Sequence, residues 1–193
     1  ELEKNIKCLS NISNKTSRKV KEQYEDNPYP RWFSTELEYR PLSIMEFIKR
    51  AELKTSNEHL SNIENPKILI AGCGTGQHSI LTSSSFKNCK VTAIDLSKKS
   101  LAYAKRKTEE LGIKNIEYYQ ADILDLKNTF SDFDIIESAG VLHHLEDPIS
   151  GWNSLNSLLK PGGIMKIGLY SKLAREHIFL NQKEQILNLF FAY

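Results

Sequence analysis

The sequence lacks any long hydrophobic run: no apolar stretch in its 193 residues approaches the roughly 20 that a membrane span needs. Nothing in it asks for a bilayer, and a cytoplasmic setting is expected. Cysteine is scarce, with Cys8, Cys73 and Cys89 odd in number and scattered. That fits free thiols in a reducing compartment better than a disulfide framework. Excess charge is small. With 26 Lys and Arg against 24 Asp and Glu, the net charge is +2, so no broad field argues for DNA or an anionic membrane as partner. Internal repeats, low-complexity tracts and a recognisable targeting segment are also missing. The chain opens at Glu1 rather than Met, which reads as a processed, trimmed or excised chain. What remains, 40% hydrophobic and 26% charged residues, is ordinary globular composition for one domain.

Residues 1–40 are polar and end in "YEDNPYPRWFS", where Pro28 and Pro30 forbid a regular helix and favour an extended or turning chain. Aromatics packed this densely in a polar segment predict an arm that folds back onto the domain. From 41 to 193 the pattern is regular. "LSIMEFIKRAEL" has helical spacing, with Leu42, Met45, Ile48 and Leu53 expected on one side. Strands are predicted at "KILIAG", "KVTAID", "IEYYQA", "FDIIESA" and "GIMKIGLY", and helices over 77–85, 98–111, Pro148 to Lys160, and 172–191. Strand–helix alternation of this kind predicts an α/β fold, a doubly wound parallel sheet with helices on both faces.

In such sheets ligands bind beyond the carboxyl ends of the strands. "ILIAGCGTGQHS" ends the first predicted strand with glycines at 72, 74 and 76. Glycine this dense marks positive φ or close approach to the backbone. Three readings compete: a tight packing turn, a dinucleotide fingerprint, and an S-adenosylmethionine site. The second wants G-x-G-x-x-G, whereas here Gln77 fills the slot where the last glycine belongs. For the third, amides at the helix start favour the carboxylate of the cofactor's amino-acid end. Asp95 closes the next strand, nineteen positions after Gly76, where an acidic residue accepts hydrogen bonds from ribose hydroxyls. The alternative for this position is a helix cap, which Ser97 can supply instead. "YYQADILDL" then offers Asp122 to an adenine amine, with apolar flanks for the ring. The cations of "SKKSLAYAKRK" read as a solvated helix face.

Taken in order, "ILIAGCGTGQHS", "AIDLS", "QADILDL", "SAGVLHHLEDP" and "LLKPGGIMKIGLYS" resemble the successive motifs of class I S-adenosylmethionine-dependent methyltransferases, over about residues 67 to 171. The resemblance implies a Rossmann-like sheet, S-adenosyl-L-methionine as cofactor and S-adenosyl-L-homocysteine as product. It implies that Gly72, Cys73, Gly74, Gly76 and Gln77 line the methionine end. Asp95, with Leu96 and Ser97, would serve the ribose and adenine, Asp122 and Ile123 the adenine, and Ser138, Ala139 and Gly140 the floor beneath the sulfonium. "YEDNPYPRW" resembles a segment that precedes methyltransferase domains in bacterial proteins. From the aromatic density of this arm, Tyr24 or Tyr29 is expected at the mouth of the cofactor pocket, with Tyr29, Arg31 and Trp32 as a lid near the acceptor and Arg31 pairing a carboxylate. The alternative is core-covering by Trp32 and Phe33. His143 and His144 are the candidates for a catalytic base. No metal is expected, since no further His or Cys stands at ligand spacing. The loop lacks the Asn/Asp-Pro-Pro-Tyr signature of amide and base-amine methylation, leaving O-, C- or amine N-methylation of a small-molecule or peptide-like acceptor. A non-catalytic cofactor-binding module is the alternative.

The family's sheet ends in a β-hairpin. Only 23 residues follow Tyr170 and they read as a helix, so the hairpin is expected to be absent, with five strands and "GIMKIGLY" exposed at an edge. A bare apolar edge predicts self-association or a fragment of a longer protein.

Overall fold

The computed structural model describes residues 2–54, 58–127 and 129–169. Its centre is a sheet of six parallel strands: β1 (Lys7–Cys8), β2 (Lys67–Ala71), β3 (Lys90–Asp95), β4 (Ile116–Gln120), β5 (Phe133–Ala139) and β6 (Leu159–Gly168). In space they run β1-β4-β3-β2-β5-β6. The chain moves outward from β2 through β3 to β4, then returns to the other side of β2 for β5 and β6. The switch of direction lies between β2 and β5.

The five strands read from the sequence are present, and a sixth joins them. Lys7 and Cys8 pair in parallel with Tyr119 and Gln120, adding an edge strand that two polar-flanked residues could not announce. "GIMKIGLY" does supply the opposite edge among the described residues, as β6 against β5.

Alternate side chains of β2 divide the core, as the period-2 geometry of a strand requires. Ile68 and Ile70 face a cluster with Ile44, Ile48, Val91 and Leu101. Leu69 and Ala71 face the opposite cluster, with Ile94, Ile136, Leu142 and Leu155. Among the described residues five α-helices pack around the sheet: α1 (Lys15–Asp26), α2 (Ile44–Arg50), α3 (Gln77–Ser85), α4 (Lys98–Glu110) and α5 (Pro148–Asn156).

Three details differ from the sequence reading. Helix α1 lies inside the arm, started by the Asn14 side chain, which accepts the Ser17 amide at 3.0 Å. Helix α2 buries Ile44 and Ile48 rather than Met45 and Leu53, which are 39% and 50% exposed. Ile44 and Ile48, four apart on one helix face, pack into the cluster with Ile68 and Ile70, while Leu53 lies beyond the end of the helix. Helix α5 ends at Asn156, short of Lys160, because Leu159 already pairs with Phe133 on the sheet. The predicted helix over 172–191 lies outside the described residues.

Candidate functional site

Strand β2 ends at Ala71, and the chain turns at once through Gly72 and Gly74, both at positive φ (+78 and +53). A Cβ on Gly72 would strike the Val141 side chain, and one on Gly74 would strike the Tyr29 carbonyl oxygen. Glycine is needed for space as well as for φ. Gly76 then caps α3. The loop borders a cavity of about 370 Å³ at the carboxyl ends of β2, β3, β4 and β5. This is the switch point, where ligands of open α/β sheets bind.

Two carboxylates line the cavity. Asp95 Oδ2 accepts the Gly74 amide at 2.8 Å and Oδ1 the Ser97 amide at 2.9 Å. Burial pushes the Asp95 carboxyl up from its ordinary value, and the two amides pull the other way. A carboxylate has about four acceptor positions, so Asp95 keeps acceptor capacity for a ligand. Asp122 is buried; its Oδ1 accepts the Leu124 amide at 3.1 Å, while its Oδ2 is buried without a hydrogen-bond partner. A buried acceptor without a partner is costly.

The arm fastens onto the glycine loop at Thr75. The Thr75 amide donates to the Tyr29 carbonyl at 3.2 Å, and its hydroxyl donates to the Pro30 carbonyl. Trp32 Nε1–H donates to both the Thr75 carbonyl and the Thr75 Oγ1, each at 3.1 Å. The Tyr103 hydroxyl donates to the Trp32 carbonyl, which ties the same segment to α4. Upstream, Glu25 accepts the Lys98 amide at 2.7 Å and the Lys99 amide at 3.3 Å, capping α4 from α1.

The predicted site residues separate into two sets. From the glycine loop and α3, Gly72, Cys73, Gly74 and Gln77 line the cavity. So do Asp95 and Leu96 after β3, and Asp122 and Ile123 after β4. Ala139, Gly140 and His144 complete it from the β5 side, with Tyr24 and Tyr29 from the arm. The rest do not line it. Gly76 packs on Ala104 instead, Ser97 caps α4, and Ser138 donates its hydroxyl to the Ala71 carbonyl at 3.0 Å. Trp32 is buried on the glycine loop, and Arg31 lies exposed beside it. Phe33, expected to fold back with it, is 89% exposed. Of the paired histidines, His144 lines the cavity with its Nε2 3.4 Å from the Tyr24 hydroxyl. The His143 ring packs against it, tilted by 47° with 4.2 Å between centroids, outside the lining.

Sequence reasoning missed a second imidazole. His78, in the first turn of α3, also lines the cavity, and its Nε2 lies 2.8 Å from Glu137 Oε2 on β5. No sequence signal joins two residues that meet only when α3 packs on β5. Cys73 is buried; desolvation and the neighbouring Asp95 charge hold its thiol well above the usual range, so it is no nucleophile at neutral pH. Among the described residues no group of three His, Cys, Asp or Glu is placed to hold a metal. No described helix is long and apolar enough to cross a membrane.

This arrangement defines a class. A family model described as a methyltransferase domain matches residues 63–188. The chain belongs to that family, with the fold of class I S-adenosylmethionine-dependent methyltransferases. Over 114 residues it is 40% identical to an uncharacterised protein of Synechococcus, covering 58% of this chain and 27% of that one. Over 150 residues it is 27% identical to the ubiquinone biosynthesis O-methyltransferase of Acinetobacter baylyi, covering 77% and 61%. The chain thus spans less than two thirds of either relative. Among solved structures, YcgJ of Bacillus subtilis superposes with a TM-score of 0.52 at 23% identity, covering 67% of this chain and 51% of that one. An S-adenosylmethionine-dependent methyltransferase of Clostridium acetobutylicum gives 0.51 at 24%, covering 64% and 46%. These two likenesses support the fold.

Proposed function

We propose that this protein transfers a methyl group from S-adenosylmethionine to a hydroxyl of a small, largely apolar acceptor. The observation that carries the cofactor assignment is the pair of carboxylates, Asp95 and Asp122, lining one cavity, the second with a buried Oδ2 that lacks a hydrogen-bond partner. An exocyclic adenine amine supplies the donor that Oδ2 lacks, while ribose hydroxyls suit the remaining lone pairs of Asp95. Leu96 and Ile123 are the apolar partners for the ring. Gly72 and Gly74 let the methionine end approach the backbone, with Ala139 and Gly140 beneath the sulfur.

The bound cofactor supplies an electrophilic methyl, so the protein chiefly holds nucleophile, methyl and sulfur in line. The side of the cavity towards the arm is built from Val20, Tyr24, Tyr29, Pro30, Val141 and Leu145, an apolar and aromatic wall. It suits the body of an acceptor and excludes water from the transfer. His144, beside the Tyr24 hydroxyl, is the group placed to take a hydroxyl proton. The O-methyltransferase relatives favour oxygen over nitrogen or carbon as nucleophile. Tyr24 and Tyr29 serve as the lid.

Calorimetry with S-adenosylhomocysteine, followed by release of that product from S-adenosylmethionine in the presence of phenolic acceptors, tests the reading. Binding at micromolar concentration with turnover on at least one phenol is expected. No binding would overturn the cofactor assignment; binding with turnover only on amines would overturn the choice of nucleophile.

A further inference from the structure

Two polar side chains of the acceptor-side wall touch each other. Tyr24 comes from the last turn of α1 and His144 from the 3-10 turn after β5 (Leu142–His144), 120 positions away in the chain, and both line the cavity. The Tyr24 hydroxyl lies 3.4 Å from His144 Nε2, with the two rings edge to face at 76°. That distance is long for such a bond. Catalytic hydrogen bonds are often long before substrate arrives and tighten in the complex.

Each partner is held from behind. The Tyr24 carbonyl accepts the Ser97 hydroxyl at 3.1 Å, and the next residue, Glu25, accepts the Lys98 and Lys99 amides at the start of α4. The last turn of α1 is thus clasped to the first turn of α4. On the other side, the His144 amide donates to the Val141 carbonyl at 2.9 Å, and the His143 ring packs against the His144 ring. An acceptor hydroxyl brought against Val20, Pro30, Val141 and Leu145, which have no side-chain donor or acceptor, finds in this pair a hydrogen-bonding partner. Covering the cavity asks only for an aromatic ring, which Phe would supply without a polar atom to desolvate. A hydroxyl aimed at an imidazole nitrogen is explained by chemistry. A neutral imidazole accepts at one nitrogen, and a phenol both donates and accepts. With Tyr24 donating to Nε2, its oxygen keeps a lone pair for a second donor.

We infer that Tyr24 is a catalytic residue that relays the acceptor's proton to His144, so that the imidazole acts through the phenol and not directly on the acceptor. The inference rests on the hydroxyl-acceptor reading above. As the acceptor oxygen bonds to the methyl carbon and the carbon–sulfur electron pair stays on sulfur, the acceptor's proton passes to Tyr24 Oη and the Tyr24 proton to His144 Nε2. What results is a neutral ether, a neutral thioether, Tyr24 restored, and an imidazolium that carries the positive charge once borne by the sulfonium. The imidazolium then gives its proton to water.

Tyr24→Phe keeps the ring and removes the relay. On the least acidic phenol that the wild type methylates, kcat should fall about a hundredfold, the low end of what a positioned proton-transfer group contributes. Tm and S-adenosylhomocysteine affinity should hold near wild type. The loss should shrink across phenols of rising acidity and vanish for nitrophenol at a pH where it is ionised, because that acceptor has no proton to pass on. His144→Gln should show the same dependence and stands in if Tyr24→Phe fails to fold; the double variant should lose no more than either single one. Nitrogen NMR of the histidine-labelled free chain reads the pair without turnover, the His144 signals being assigned by their loss in His144→Gln. An Nδ1–H tautomer is expected, with an Nε2 resonance that Tyr24→Phe shifts. Equal loss on all phenols, loss on none, or an Nε2–H tautomer in the wild type overturns the relay and leaves the cofactor and hydroxyl-acceptor readings intact. A wild type that binds S-adenosylhomocysteine but methylates no phenol overturns the hydroxyl-acceptor reading and the relay together.

Discussion

At the scale of single residues, the two aspartates of the cavity have different tasks and should respond differently. Asp122→Ala removes an acceptor that has no partner of its own on Oδ2, so its main effect should appear with ligand present. S-adenosylhomocysteine affinity should fall by about 1–2 kcal/mol, roughly the worth of one charge-assisted bond, measured by calorimetry. Asp95→Ala should cost about 2–3 kcal/mol of binding, because two hydroxyls are lost and the Gly74 and Ser97 amides lose their acceptor. Acid should mimic this change. Asp95 binds ribose as a carboxylate, and its burial raises its proton affinity above that of an ordinary Asp at 3.8. Affinity should therefore begin to fall on acidification at a higher pH than 3.8 would dictate. An affinity constant down to pH 4 would count against the assignment.

The scale of elements explains what could be read in advance. Buried parallel strands are nearly continuous apolar runs, so "KILIAG" and "FDIIESA" announced β2 and β5, and the carboxyl ends of β2, β3 and β4 held the expected cavity residues Gly72, Asp95 and Asp122. Helix α1 was hidden because its inward stripe, Ser17, Val20 and Tyr24, is short and mixed in polarity. His78 and Glu137 are 59 positions apart in the numbering of a contact that only packing creates. Trp32 was legible as an aromatic anchor but not in its use: it grips Thr75 and does not face the cavity. Trp32→Phe should strand the Thr75 acceptors and lower stability by about 1–2 kcal/mol, seen as a drop of a few degrees in Tm. Gly74→Ala should do more. Its φ of +53 and the collision with the Tyr29 carbonyl should cost about 1–3 kcal/mol in backbone strain alone, and S-adenosylhomocysteine binding should fail with it. A stable Gly74→Ala protein with normal affinity would show that arm and loop are not locked together.

For the molecule as a whole, the buried Glu137 links stability to pH. Its carboxyl is held below the ordinary 4.5 in the folded state. The group therefore contributes stability that is present above pH 4.5 and lost as pH falls through the lower folded value. Thermal unfolding of wild type should weaken through this window on that account, and Glu137→Gln should flatten this part of the slope. An unchanged slope would mean that the His78 and Lys166 contacts leave Glu137 no more acidic than in the unfolded chain.

The pairing of Lys7 and Cys8 with Tyr119 and Gln120 also sets an order of events at the ribosome. The first strand of the chain cannot find its place until β4, more than a hundred residues later, has left the exit tunnel. The arm's other docking partners, the glycine loop and α4, are made earlier than β4 but also only after the arm itself. Nascent chains stalled before residue 116 should thus keep residues 7–33 open to protease, and chains stalled well beyond 120 should protect them. Residues 7–33 are made before β4 and are among the last of the described parts to settle.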